Sequence, residues 1–107
     1  MVGADGLIPL KARAWLDLSR RKAEESVDEN DIKKHRNDVF RLALTLAGEP
    51  GPEVAGGIRA DLEAFVTAFP DTSPEWPGIV QALQGTVRTP PAPGELIEAI
   101  RTRFRLA

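Results

Sequence analysis

The sequence predicts a small all-α bundle of about five helices. Three observations lead there. Apolar residues recur at helical spacing along most of the chain. Proline and glycine occur nine times each and gather at 48–52, 70–77 and 89–94, which cuts the chain into lengths that suit helices. No stretch alternates at period two for long enough to form a strand, 85–89 being the nearest approach. The chain has 107 residues, enough for a single domain around one core.

The first helix is expected over 7–25. Pro9 would sit in its first turn, where a missing N–H is harmless. Leu7, Ala14, Trp15 and Leu18 share a face, with Lys11 near the middle of it and Arg13, Asp17 and Arg20 opposite. The second helix is expected over 29–47. Asp28 can cap it, Glu29 and Asp31 suit the positive end of its dipole, and Gly48 is a natural stop. Its stripe is Ile32, Val39, Leu42, Ala43 and Leu46, with His35 inside and Asp31 and Asp38 at the border. The short connection near 26–28 makes the first two helices an antiparallel hairpin.

A third helix is expected over 53–69, carrying Val54, Ile58, Leu62, Phe65 and Phe69 inward. Gly56 and Gly57 weaken its start by about 1 kcal/mol each relative to alanine. A fourth spans 74–84 behind a Ser73 cap with Pro74 at the first helical position, and turns Trp76, Ile79, Val80 and Leu83 inward. A fifth spans 94–106, with Leu96, Ile97, Ile100 and Phe104 inward and extended Pro90 and Pro91 before it.

Composition narrows the function. Hydrophobic residues make up 42% and charged residues 28%, as in ordinary globular proteins. The formal net charge of −2 gives no global drive toward nucleic acid or a membrane surface. No apolar run approaches the roughly 18–20 residues of a membrane span, and the N-terminus lacks a signal-peptide pattern. A cytoplasmic location is the expectation. The absence of cysteine excludes disulfides and thiol chemistry, and a single histidine argues against a zinc site. P-loop, dinucleotide-binding, H-E-x-x-H and G-x-S-x-G patterns are all missing.

Lys11 and His35 stand out because each places an ionisable group in an apolar stripe. Lys11 is either an ammonium aimed at a phosphate, or a structural cation whose stem covers the core and whose charge meets an acid such as Asp38. His35 has Asp38 at i+3, which could fix its tautomer, but no nucleophile accompanies the pair. Asp31 and Asp38 lie about 10 Å apart along the helix, too far to chelate one ion; Lys34 and Arg41 are their expected partners. Arg20, Arg21 and Lys22 suit the C-terminal end of the first helix dipole. A helix–turn–helix reading of the first two helices ranks last, because the connection lacks glycine and the chain is acidic.

The run Leu10-Lys11-Ala12-Arg13-Ala14-Trp15-Leu16-Asp17-Leu18, followed by Asp31-Ile32-Lys33-Lys34-His35-Arg36-Asn37-Asp38-Val39-Phe40-Arg41-Leu42, resembles the C-terminal helical part of AbiEii-type nucleotidyltransferases, toxins of type IV toxin–antitoxin systems. The likeness covers about the first 40 residues. It implies that Lys11, Lys34 and Asp38 contact nucleotide phosphates, with Arg21 and His35 in support; His35 stands where the pattern usually has an acid. It also implies Mg and a nucleoside triphosphate in a full enzyme. The Gly-Ser turn and Asp-x-Asp pair such enzymes need to hold triphosphate and metal are missing. The expectation is therefore a substrate-binding half of a larger protein, inactive and cofactor-free alone, whose partner is a catalytic half or an antitoxin protein. The alternative is an autonomous helical interaction module.

Overall fold

The computed structural model describes residues 4–22, 28–46 and 48–106. Five helices follow in order: α1 (Ala4–Arg21), α2 (Glu29–Ala43), α3 (Gly56–Thr67), α4 (Trp76–Leu83) and α5 (Pro93–Arg103). No strand occurs among the described residues. α1 packs along both α2 and α3, while α4 and α5 pack on α2, and α5 also meets α3. The radius of gyration is 13.3 Å, the value of a compact domain of this length.

α1 and α2 form the expected antiparallel hairpin. Lys22 pairs with Glu29 where the helices begin to diverge, and Lys11 pairs with Asp38 further along. The connection, 23–27, lies outside the described residues, as does the expected end of the first helix at 25.

Side-chain caps move several boundaries. Asp28 caps α2 as expected, accepting from the Asn30 N–H at 2.8 Å. α2 then stops before Gly48. Thr45 donates its hydroxyl to the Leu42 carbonyl at 2.7 Å, and Thr45 and Leu46 close tighter i→i−3 bonds, which satisfies the last carbonyls early. Gly48 follows in the left-handed region, at φ +80°. α4 begins at Trp76, not at Pro74: Ser73 Oγ accepts from Glu75 N–H in a preceding turn, and Pro77 takes the early helical position. Pro9 lies inside α1 and not in its first turn, so the Asp5 carbonyl loses its usual helical donor. At α5, Glu95 accepts from the Ala92 N–H at 3.2 Å, half of a capping box, since alanine has no oxygen to reciprocate.

The core is aromatic. Phe40 of α2 lies 5.1–5.6 Å, centroid to centroid, from Phe65, Phe69 and Trp76, and Trp15 of α1 meets Phe65 and Phe69 at 5.3 and 5.1 Å. Such pairs contribute about 0.5–1.5 kcal/mol each beyond their burial. Trp76 also donates its indole N–H to the Pro70 carbonyl at 2.8 Å. Val39, Ala43, Leu62, Val66, Ile79, Leu83, Leu96, Ile100 and Phe104 are buried with them, Val39 and Ala43 as expected for α2. The face that α1 buries is Ile8 and Ala12, with Trp15 packed beside them. It is rotated by one position from the expected stripe of Leu7, Ala14 and Leu18.

A polar clamp joins distant parts of the chain. Arg103 holds Asp5 through two bonds, Nε–Oδ1 at 2.7 Å and Nη2–Oδ2 at 2.5 Å. Beside it, the buried Gly51 donates its N–H to the Arg103 carbonyl at 2.9 Å and accepts from Arg105 Nε at 2.6 Å. A Cβ at Gly51 would stand 3.0 Å from that carbonyl oxygen, so this close approach requires glycine. Arg105, in the left-handed region at φ 55°, turns the chain out of α5.

The guanidinium of Arg103 holds the Asp5 carboxyl below its ordinary range, chiefly by hydrogen bonding. A carboxyl whose folded pKa is depressed stabilises the fold above its unfolded value, about 3.9, and loses that contribution as pH falls through the folded value. Asp5→Asn is expected to lower the melting temperature at neutral pH, with the gap to wild type closing as pH falls through the depressed folded pKa of Asp5. A gap that is equal at both ends of the titration would show that the clamp is not charged.

Candidate functional site

The five residues singled out from the sequence lie on the α1–α2 hairpin. Lys11 Nζ is 3.3 Å from Asp38 Oδ2, and the two side chains retain 28% and 22% of their exposure. The ammonium therefore stands at the edge of the helix interface, one position round from the buried Ala12, and an acid on the facing helix neutralises it. Asp38 also accepts from Arg41 Nη1 at 3.3 Å, one turn on. One carboxylate thus serves two cations, one across the hairpin and one on its own helix.

His35 is half-buried. The carboxylate of Asp38 is turned to Lys11 and Arg41, and His35 Nδ1 is buried without a hydrogen-bond partner. His35 Nδ1 thus makes no bond to Asp38. Trp15 Nε1 is also buried and unpartnered. The pairings 11 with 38 and 22 with 29 place Trp15 and His35 at one level of the antiparallel hairpin, where aromatic packing has been favoured over polar satisfaction. An unpartnered polar atom of this kind costs about 1–3 kcal/mol. Lys34 is exposed one turn before Asp38, and Arg21 is exposed at the end of α1. Neither reaches the Lys11–Asp38 pair through an ion pair among the described residues.

The buried charge of the described residues is Arg36, which the sequence reading passed over. It is 5% exposed. Its Nε donates to Asn37 Oδ1 at 3.0 Å and its Nη1 to Glu75 Oε1 at 3.1 Å. Arg36 and Phe40 are four residues apart and share the face that α2 turns to α4. Reading His35 and Leu42 as the stripe set that face one position away. The signal that could have found it was Phe40, the largest apolar side chain of α2.

Among the described residues, large apolar side chains are exposed at two places, Leu10 at 63% and Ile58 at 40%. Both line an open groove of about 290 Å³ between α1 and α3, with Gly6, Pro9, Arg13 and Asp61. Ile58 was expected inward, but it lies in the first turn of α3, beyond the aromatic core. Trp76 and Phe69, expected inward, are buried. Arg13 Nη1 bonds both oxygens of Asp61, at 3.1 and 3.2 Å, and so fixes α1 to α3 beside the groove.

No helix of the described residues is long and apolar enough to cross a membrane, and those residues hold no cluster of three or more potential metal-ligating His, Asp or Glu side chains. Comparison with protein-family models, curated proteins and solved structures finds no match to the chain.

The partial exposure of the Lys11–Asp38 pair sets its strength. A fully buried pair would lose about 3–5 kcal/mol on removal of one partner, whereas a half-solvated pair couples by about 1 kcal/mol. A denaturant double-mutant cycle with Lys11→Met and Asp38→Asn is expected to return coupling of that lower size. Strictly additive single mutants would dissolve the pair.

Proposed function

We propose that this chain is a helical interaction module that binds a second copy of itself through the α1–α3 face. The carrying observation is the exposure of Leu10 and Ile58 over one groove, while the other large apolar side chains of the described residues are buried or half-buried. Adjacent apolar side chains left in water mark association surfaces more often than solitary ones do. The charges of the groove support a homotypic contact. Arg13 and Asp61 neutralise each other, so the rim has no net sign. A two-fold contact sets a patch against its own image; a rim of one sign would repel that image, and this one does not. Sedimentation equilibrium of the full chain is expected to show concentration-dependent dimerisation, abolished by Leu10→Asp or by Ile58→Asp while helical content is retained. A wild type that stays monomeric at high concentration would refute the homotypic reading.

A second reading keeps the nucleotide-binding role implied by the likeness to AbiEii-type nucleotidyltransferases. The observation favouring it is the arrangement on α2, where Lys34 is exposed one turn before Asp38, itself paired with Lys11. In that reading a triphosphate with magnesium, supplied in a full enzyme, would take Lys34 directly and Lys11 after its release from Asp38. Lys34→Ala and Lys11→Ala should each weaken binding of a magnesium–nucleoside triphosphate in calorimetry. Binding that ignores both substitutions would eliminate these residues as phosphate ligands.

A further inference from the structure

α2 and the start of α4 enclose an open groove of about 450 Å³ lined by Lys33, Arg36, Asn37, Pro74, Glu75 and Gly78. Its floor is the buried Arg36. A guanidinium buried only to stabilise the fold gains little over an apolar residue of similar volume, and it is best satisfied by a two-point bond to one carboxylate. Arg36 lacks that arrangement. Glu75 takes Nη1 alone, at 3.1 Å, and the Glu75 side chain is itself 41% exposed. The Nη2 corner faces Gly78, where a Cβ would lie 3.6 Å away; glycine leaves that corner uncovered. Lys33, exposed one turn before Arg36 and Asn37, adds a second cation at the rim. The lining residues thus carry two cations and one carboxylate, and Glu29, one turn before Lys33 on α2, feels the Lys33 charge from outside the groove.

We propose that this groove binds a phosphate-bearing small ligand. The guanidinium of Arg36 and the ammonium of Lys33 are its cationic ligands, and the Asn37 amide is a neutral donor. Glu75 is an internal stand-in: its carboxylate occupies one donor of Arg36 until the oxyanion displaces it. With Glu75 displaced from Nη1, the Nη1–Nη2 edge of the planar guanidinium suits a tetrahedral oxyanion, which accepts two parallel N–H bonds. The site is independent of the α1–α3 association face, and neither proposal requires the other.

The test is an NMR titration of the full-length chain at low ionic strength, following the Arg36 Nε–H and the Gly78 amide. Inorganic phosphate and glycerol 3-phosphate are the two probes, with chloride as the control for ionic strength. Saturable shifts at both resonances are expected with phosphate or its ester and not with chloride. Tighter binding of the ester identifies an esterified ligand; equal binding identifies the free oxyanion. Removing the competing carboxylate in Glu75→Gln should tighten binding about five-fold, and removing the rim cation in Lys33→Ala should weaken it by a similar factor. Both positions are at the surface, so the outcome does not depend on an Arg36 variant that fails to fold. Gly78→Ala, whose new methyl fits in ordinary contact, should weaken binding by covering Nη2. Shifts that do not saturate, that chloride reproduces, or that are unchanged in Glu75→Gln and Lys33→Ala would overturn the proposal.

Discussion

Phe40 touches three other aromatic rings at once, and those rings come from α3, the segment just after it, and α4. Trp15 brings α1 into the same cluster. Four of the five helices are therefore positioned by one group of ring contacts, and α5 closes over the side with Leu96, Ile100 and Phe104. Ring pairs constrain orientation as well as distance, so this cluster fixes how far each helix is rolled about its axis. Roll is what decides which polar residues face a neighbour. Arg36 is carried inward because it lies one turn before Phe40, and Lys11 is left at the interface edge because Ile8 and Ala12 take the inner positions.

The electrostatics follow from that roll. Each of these charges meets a partner on a different part of the chain: Lys11 meets Asp38 of α2, Arg36 meets Glu75 just before α4, and Arg13 meets Asp61 of α3. These contacts are short and largely half-solvated, so they set register more than they add stability. The α1–α2 register is visible in them directly. Apolar packing alone leaves the two helices of a hairpin relatively free to slide, whereas charges at positions 11 and 22 on one helix and 38 and 29 on the other are satisfied in one alignment.

The helices themselves were legible in the sequence, because their spacing repeats and because proline and glycine gather between them. The hairpin followed from the short connection. The capping role of Asp28 was legible for the same local reason. What local pattern could not supply was roll. Both α1 and α2 carry apolar arcs wide enough to be read with the stripe one position away, a rotation of about 100° per residue. Periodicity alone centres them on Lys11 and His35; Val39 and Ala43 of the expected α2 stripe are buried as read, while the aromatic cluster brings Arg36 and Phe40 in beside them and turns α1 inward on Ile8 and Ala12. That shift of one residue hid the α2–α4 groove, since Glu75 and Gly78 acquire meaning only once Arg36 points at them. Boundaries drifted where single side chains decided them, Thr45 at the end of α2 and Ser73 before α4. The exposure of Leu10 and Ile58 was hidden too, because periodicity marks an apolar residue without saying whether anything covers it.

The clamp between Asp5 and Arg103 bridges 98 residues, so the two outermost described helices touch near their distal ends. The backbone is thereby almost a closed ring. A covalent crosslink between positions 5 and 103 would close that ring, which could then be opened at an exposed turn such as 84–86 without cutting any helix. The order in which the helices are strung along the chain is thus separable from the shape they pack into.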